Sequence, residues 1–134
     1  MALSTAQEII EIADKFAECA DSMQERTLMA LNNDEIARDQ ASALFQDQLL
    51  FRTHINKMYI QSGNLVVEGV QAAQSELSGV VDQAKDKLKR VNQIAKYVDL
   101  VSDVIVFASS IYARKPDLII SSFNEVKNDL DNID

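Results

Sequence analysis

The feature that most constrains the fold is a run of apolar residues, spaced by threes and fours, in the second half of the chain. Val66, Val70, Ala73, Leu77, Val80, Ala84, Leu88, Val91, Ile94, Val98, Val101, Ile105, Ala108 and Tyr112 follow one another without a slip. The mean step is about 3.5 residues, the period of a helix whose apolar seam supercoils left-handedly against its neighbours. A half-buried strand would alternate with period two, so this segment reads as helix. Unbroken over 64–113, it would run roughly 75 Å, against about 40 Å for each of the two helices expected before it. Either it bends or breaks near Lys89–Asn92, or it stays straight and a partner or second copy covers its far end. Gly69 and Gly79 are soft points that need not break it.

The flanking segments carry the same period. Ser4-Thr5 followed by Gln7-Glu8 reads as an N-cap with a capping box. From there Ile9, Ile12, Phe16, Cys19, Met23, Thr27 and Ala30 form one stripe that should be buried. Asn32-Asn33-Asp34 interrupts the stripe with residues that tolerate turns, placing Asp34 near the next N-cap. A second helix then presents Ala37, Ala41, Leu44, Gln48, Phe51, Ile55 and Met58 as a seam with one polar member. Gln48 has two readings, a buried polar device that fixes register or a residue at the edge of a wide apolar face, and the edge reading is favoured. Ser62-Gly63-Asn64 supplies the next turn. Pro116 ends the long segment and suits the first turn of a last helix, whose stripe is Ile119 or Ile120, Phe123, Val126, Leu130 and Ile133.

Three Gly and one Pro in 134 residues leave little material for the turns of an all-β or multi-crossover fold. With 47% hydrophobic residues, one core can form without disulfides or metal. The expected architecture is therefore all-α: a single domain over 1–134, an up-and-down bundle of four long amphipathic helices, the third segment being one very long helix or two.

The net charge of −8 disfavours nucleic acid and anionic membrane as default partners. Charge is unevenly spread, with nets of −5 over 1–63, +1 over 64–115 and −4 over 116–134, so the middle segment should pair with the flanking ones. The longest charge-free apolar tract, Val104–Ala113, is half of the roughly 20 residues that a spanning helix needs. Met1–Gln7 has neither the basic nor the apolar region of a secretory signal, and the single cysteine, Cys19, sits in an apolar stripe; a cytoplasmic location is expected.

Residues that carry chemistry are sparse. His54 is the one histidine, with Asp47 about two turns earlier, and no nucleophile lies at a suggestive spacing. A di-iron site needs Glu-x-x-His pairs on two helices, and Phe51 occupies the position where that Glu would stand before His54. One Cys and one His do not make a zinc site, Glu18 and Asp21 would raise the pKa of Cys19, and no Gly-rich phosphate loop occurs. No enzyme activity, cofactor or metal is expected. Lys85, Lys87, Lys89, Arg90 and Lys96 form a basic cluster, but Asp82 and Asp86 lie among them and no aromatic interleaves, so a solvated face laced with ion pairs is favoured over nucleic-acid contact. Asp99 and Asp103 sit in the most apolar region and must face solvent or find partners; Lys96 is close enough to serve Asp99.

Two functional readings remain. The first is a non-enzymatic interaction protein that binds itself or another protein through a surplus apolar face of the long segment, with Val98, Val101, Ile105, Val106, Phe107 and Tyr112 as interface residues. The tract Val104-Ile105-Val106-Phe107 is apolar on all sides, more than two-layer packing buries. The second is a membrane-active protein that exposes Val98–Ala113. An apolar tract beside lysines is similar in layout to helical pore-forming toxins, and the acidic ends argue against adsorption to anionic lipid, so this reading is not favoured.

Overall fold

The computed structural model describes residues 1–133. It is all-α, 80% helical, with no strand among the described residues. The helices are α1 (Ala6–Asn32), α2 (Arg38–Ile60), α3 (Gln74–Arg90), α4 (Ile94–Ala113) and α5 (Pro116–Asp131), with a short 3-10 turn at Ser62–Asn64. Five helices stand where four were expected, because the long segment is broken by Val91-Asn92-Gln93.

Cross-helix bonds give the running directions. Asp14 with Tyr59, Asp21 with Arg52 and Gln24 with Gln48 make α1 and α2 antiparallel. Glu11 with Ser78 and Lys15 with Asp82 make α3 parallel to α1. α4 starts beside Met23, where the Tyr97 hydroxyl donates to the Met23 carbonyl at 2.8 Å, and ends with Tyr112 beside His54 of α2. α5 returns to place its last carbonyls on Lys87 and Lys96. The helices therefore alternate up and down, with α1 against both α2 and α3 and an α4–α5 hairpin closing the core.

Local chemistry explains where α1 begins. Its N-terminus is capped by Thr5, whose hydroxyl accepts from the Glu8 amide at 3.2 Å, while the Glu8 carboxylate reaches back to the Ser4 amide at 3.0 Å. Every residue of the expected α1 stripe is buried. In α2 the seam from Ala41 to Met58 is buried, while Ala37 is the exposed N-cap residue and Asp34 lies in the preceding turn with φ 58°. Gln48 corrects the edge reading: it is 6% exposed, and its amide donates to the Ala20 carbonyl at 3.2 Å and to Gln24 Oε1 at 3.3 Å. A buried amide is stable there because its N–H groups are satisfied.

The expected helix over 64–73 is absent. Val67 donates its amide to the Leu3 carbonyl and Ala2 donates to the Ala72 carbonyl, both at 2.9 Å, so this stretch crosses beneath α1 in extended form. Gly69 there has φ 87°, a backbone conformation that stops any helix. Ala2 and Leu3 are fully buried by the crossing.

Phe16 of α1 joins the layers, meeting Phe51 of α2 edge-on at 5.7 Å and Phe107 of α4 at 5.6 Å, with Phe107 in turn 5.8 Å from Phe123 of α5. Phe16, Phe51 and Phe107 have no exposed surface, and each such ring contributes about 1.5–3 kcal/mol of burial.

Candidate functional site

α4 is the helix on which the interface residues were expected, and its buried face is not the expected one. Tyr97, Leu100, Val101, Val104, Phe107, Ala108 and Ile111 point into the core, whereas Val98, Ile105 and Tyr112 are half-buried. The stripe is turned only part of the way round the helix: Val101 and Ala108 stay buried, and Tyr97, Leu100, Val104, Phe107 and Ile111 take the place of Val98, Ile105 and Tyr112. The cause is the break at 91–93, which resets the helical phase that the sequence appeared to carry continuously from α3.

The six expected interface residues therefore divide. Phe107 is fully buried and belongs to the aromatic core, which corrects its assignment to a surface. Tyr112 packs edge-on against His54 at 6.0 Å and lies beneath the Lys57 ammonium at 5.7 Å. Val98, Val101, Ile105 and Val106 come together with Leu44, Asp47 and Leu50 of α2 and Ser102 of α4. These eight residues line a groove of about 270 Å³ between two helices that run in the same direction. Val101 and Leu44 form its floor, 3% and 7% exposed, while Leu50 and Val106 on its rims are 55% and 48% exposed. The groove exists because the side chains on the facing surfaces of α2 and α4 leave the space between them unfilled.

Leu50, Asp47 and Ser102 were missed in the sequence. The signal for Leu50 was the run Leu49-Leu50-Phe51, in which one helix face can bury a single member; Phe51 takes the core and both leucines are left exposed. Asp47 stands about two turns before His54 on the same helix. It lines the groove, and no described hydrogen bond or ion pair joins the two. Partial burial, with the Lys57 charge nearby, pushes the His54 imidazole below its ordinary pKa, so it is neutral at neutral pH.

A larger depression, about 610 Å³, is an open polar hollow lined by Gly63, Asn64, Val66, Val67, Glu68 and Arg114. The groove is smaller but lined mainly by aliphatic side chains, the property that drives association.

The basic cluster is engaged within the fold. Lys85 faces Glu18 at 3.8 Å and Lys89 faces Glu25 at 3.9 Å, tying α3 to α1. Lys87 and Lys96 donate to the carbonyls of Ile133 and Asn132 at 3.2 and 2.7 Å, so Lys96 serves the end of α5 rather than Asp99. Cations at a helix C-terminus complement its orphan carbonyls. Among the described residues no group of three or more His, Cys, Asp or Glu is placed to hold a metal ion, and no helix is long and apolar enough to cross a membrane. Comparison with protein-family models, with curated proteins and with solved structures finds no match.

Proposed function

We propose that this chain is an interaction module whose α2–α4 groove receives the apolar face of an amphipathic helix from another protein, with a lysine or arginine of that helix against Asp47. The observation that carries this reading is the groove itself: an aliphatic floor and half-exposed aliphatic rims, open to solvent along two parallel helices. Helix-in-groove recognition uses side chains spaced at i, i+3 or i+4, and i+7 against such a channel.

Charge favours a foreign helix over a second copy. Asp47 is the one charged residue in the groove lining, and no described ion pair engages it. A two-fold dimer through this face would bring the same patch, Asp47 included, onto itself. It would also bring together two chains of net charge −8. A basic amphipathic helix answers both the apolar lining and the acid.

The probe is a labelled peptide of leucine and lysine at helical spacing, with a scrambled peptide of the same composition as control. The expected result is saturable binding of the patterned peptide, weakened by about tenfold or more in the variant Leu50→Asp with Val106→Asp, since each aliphatic contact removed is worth about 1–2 kcal/mol. Leu118→Asp, a 42%-exposed site on α5, should bind as the parent does. Equal binding of both peptides would overturn the reading. So would a dilution-dependent dimer abolished by Val106→Asp, which makes the occupant a second copy, or flotation with liposomes abolished by the same change, which makes it a membrane.

A further inference from the structure

Asp129 lies on the side of α5 that faces α4, and its Oδ2 is shut off from solvent with no hydrogen-bond partner. Four acidic or basic side chains of the two helices surround it. Asp103 and Asp99 project from α4, and Asp103 is close enough to share a hydrogen; Glu125 stands one turn earlier on α5. Lys96 of α4 lines the same cavity of about 380 Å³ with Asp99, Asp129, Asn132 and Ile133. Its ammonium is held by the Asn132 carbonyl, and Lys87, the cation that α3 brings to this end of α5, is held by the carbonyl of Ile133. Neither described salt bridges nor described hydrogen bonds place a cation on Asp129.

Two ionised carboxylates have only acceptor atoms to offer each other, so the Asp103–Asp129 approach is repulsive unless one of them carries a proton. With a proton on Asp129, its hydroxyl becomes a donor and Asp103 the acceptor, and the shut-off oxygen gains its missing partner. We propose that the α4–α5 seam is a proton-dependent fastener: Asp129 holds a proton that it donates to Asp103, and loss of that proton loosens the last turn of α5.

Burial and the three neighbouring acids push the Asp129 carboxyl up to about 7. The proton therefore leaves within the neutral range rather than in acid. A carboxyl whose pKa is raised by folding stabilises the folded form fully below its ordinary value near 4, and that contribution is lost as pH rises through the folded value. The fastener is closed in mild acid and open in mild base. It does not depend on the groove, whose lining shares no residue with this cavity.

The test is a carboxyl-carbon NMR titration of the full chain, together with amide hydrogen exchange of residues 127–133 corrected for the intrinsic pH dependence of exchange. Asp129 should titrate near pH 7. The opening ratio of the last turn of α5 should rise by up to about tenfold per pH unit between about pH 5 and 7, then level off. Asp129→Asn should remove that rise and keep the turn protected at both ends of the range, since its amide supplies the donor that Asp103 needs. Asp103→Asn should lower the Asp129 midpoint by removing one of the neighbouring negative charges. An Asp129 midpoint in the ordinary carboxylate range overturns the proposal, as does an unchanged pH dependence in Asp129→Asn; if that variant does not fold, the parent titration alone decides.

Discussion

Arg26 of α1 donates its Nε to the Val91 carbonyl at 3.0 Å, so α3 ends on a side chain that comes from another helix. The same guanidinium forks onto Glu35 at 2.9 and 3.0 Å and lies 5.7 Å from the Tyr97 ring. Tyr97 has a single hydroxyl hydrogen, which goes to the Met23 carbonyl, so Thr27 is the donor in the 2.7 Å contact between the two hydroxyls. One buried cation thereby fixes the α1–α2 turn, the α3–α4 break and the start of α4.

Replacing Arg26 should accordingly unravel more than one contact. Arg26→Ala is expected to destabilise the fold by about 2–4 kcal/mol, because it strands the Val91 carbonyl and opens a void over Tyr97. Arg26→Lys should recover only part of this, since an ammonium does not reproduce the fork. Chemical denaturation of the three proteins measures it. The Arg26 guanidinium also holds the Glu35 carboxyl below the usual carboxylate range, so the pair's contribution is present at neutral pH and lost as pH falls through that lowered value. An acid limb less steep in Arg26→Ala than in the parent is the expected signature.

Gln48 offers a contrasting case. Its amide donates to the Ala20 carbonyl and to Gln24 inside the α1–α2 seam. The Ala20 carbonyl lies within α1, where a main-chain partner is also available, so removing the Gln48 amide strands little. Gln48→Leu is therefore expected to leave the chain as stable as the parent or about 1 kcal/mol more stable, with Gln48→Ala less stable than both. If the amide fixes register, the leucine variant will also show broadened methyl resonances along α2, which two-dimensional NMR resolves.

The stripes of α1, of most of α2 and of α5 were legible because each helix carries its own cap or breaker, and the period within it is uninterrupted. Ser4-Thr5, Asn32-Asn33-Asp34 and Pro116 mark those boundaries in one-dimensional order. The α3–α4 break has no such mark. A break near Lys89–Asn92 is one of the two alternatives the sequence leaves open, and the choice between them rests on Arg26, 65 residues away in sequence from Val91, so local pattern alone does not make it. Carrying the α3 phase through the break then selected 98/101/105/108/112 over 97/100/104/107/111, two series with equally good spacing. The bulkier second series, with Tyr97, Leu100 and Phe107, is buried throughout, whereas of the first only Val101 and Ala108 are, and side-chain volume was the cue that could have separated them. The groove was half legible: its α4 wall was named, but its α2 rim depended on knowing that α2 and α4 are neighbours.

Gly69 is the backbone hinge of the crossing beneath α1. With φ at 87° it sits where side chains are disfavoured, yet an added Cβ would meet nothing closer than Pro116 Cγ at 3.9 Å. Its substitution therefore isolates backbone strain from packing. Gly69→Ala should cost about 1–2 kcal/mol, and Gly69→Asn less, because asparagine tolerates positive φ. A thermal melt in which the two variants are equally stable would show that the crossing relaxes to another conformation.

Cys19 is fully buried, and its thiol donates to the Val81 carbonyl at 3.5 Å. Burial, reinforced by Glu18 and Asp82, pushes the thiol well above its ordinary pKa. The thiolate is the reactive species, so the folded chain offers a disulfide reagent neither access nor the ionised form. Labelling should then proceed only through opening of the α1–α3 seam, with a rate that falls in proportion as stability rises. Gly69→Ala is expected to speed labelling by about 5–30-fold, the factor that corresponds to its destabilisation of about 1–2 kcal/mol if the opening is global. Labelling at the rate of a free thiol in the parent would place Cys19 in a locally open segment, and an unchanged rate in Gly69→Ala would show that α1 and α3 separate without releasing the crossing.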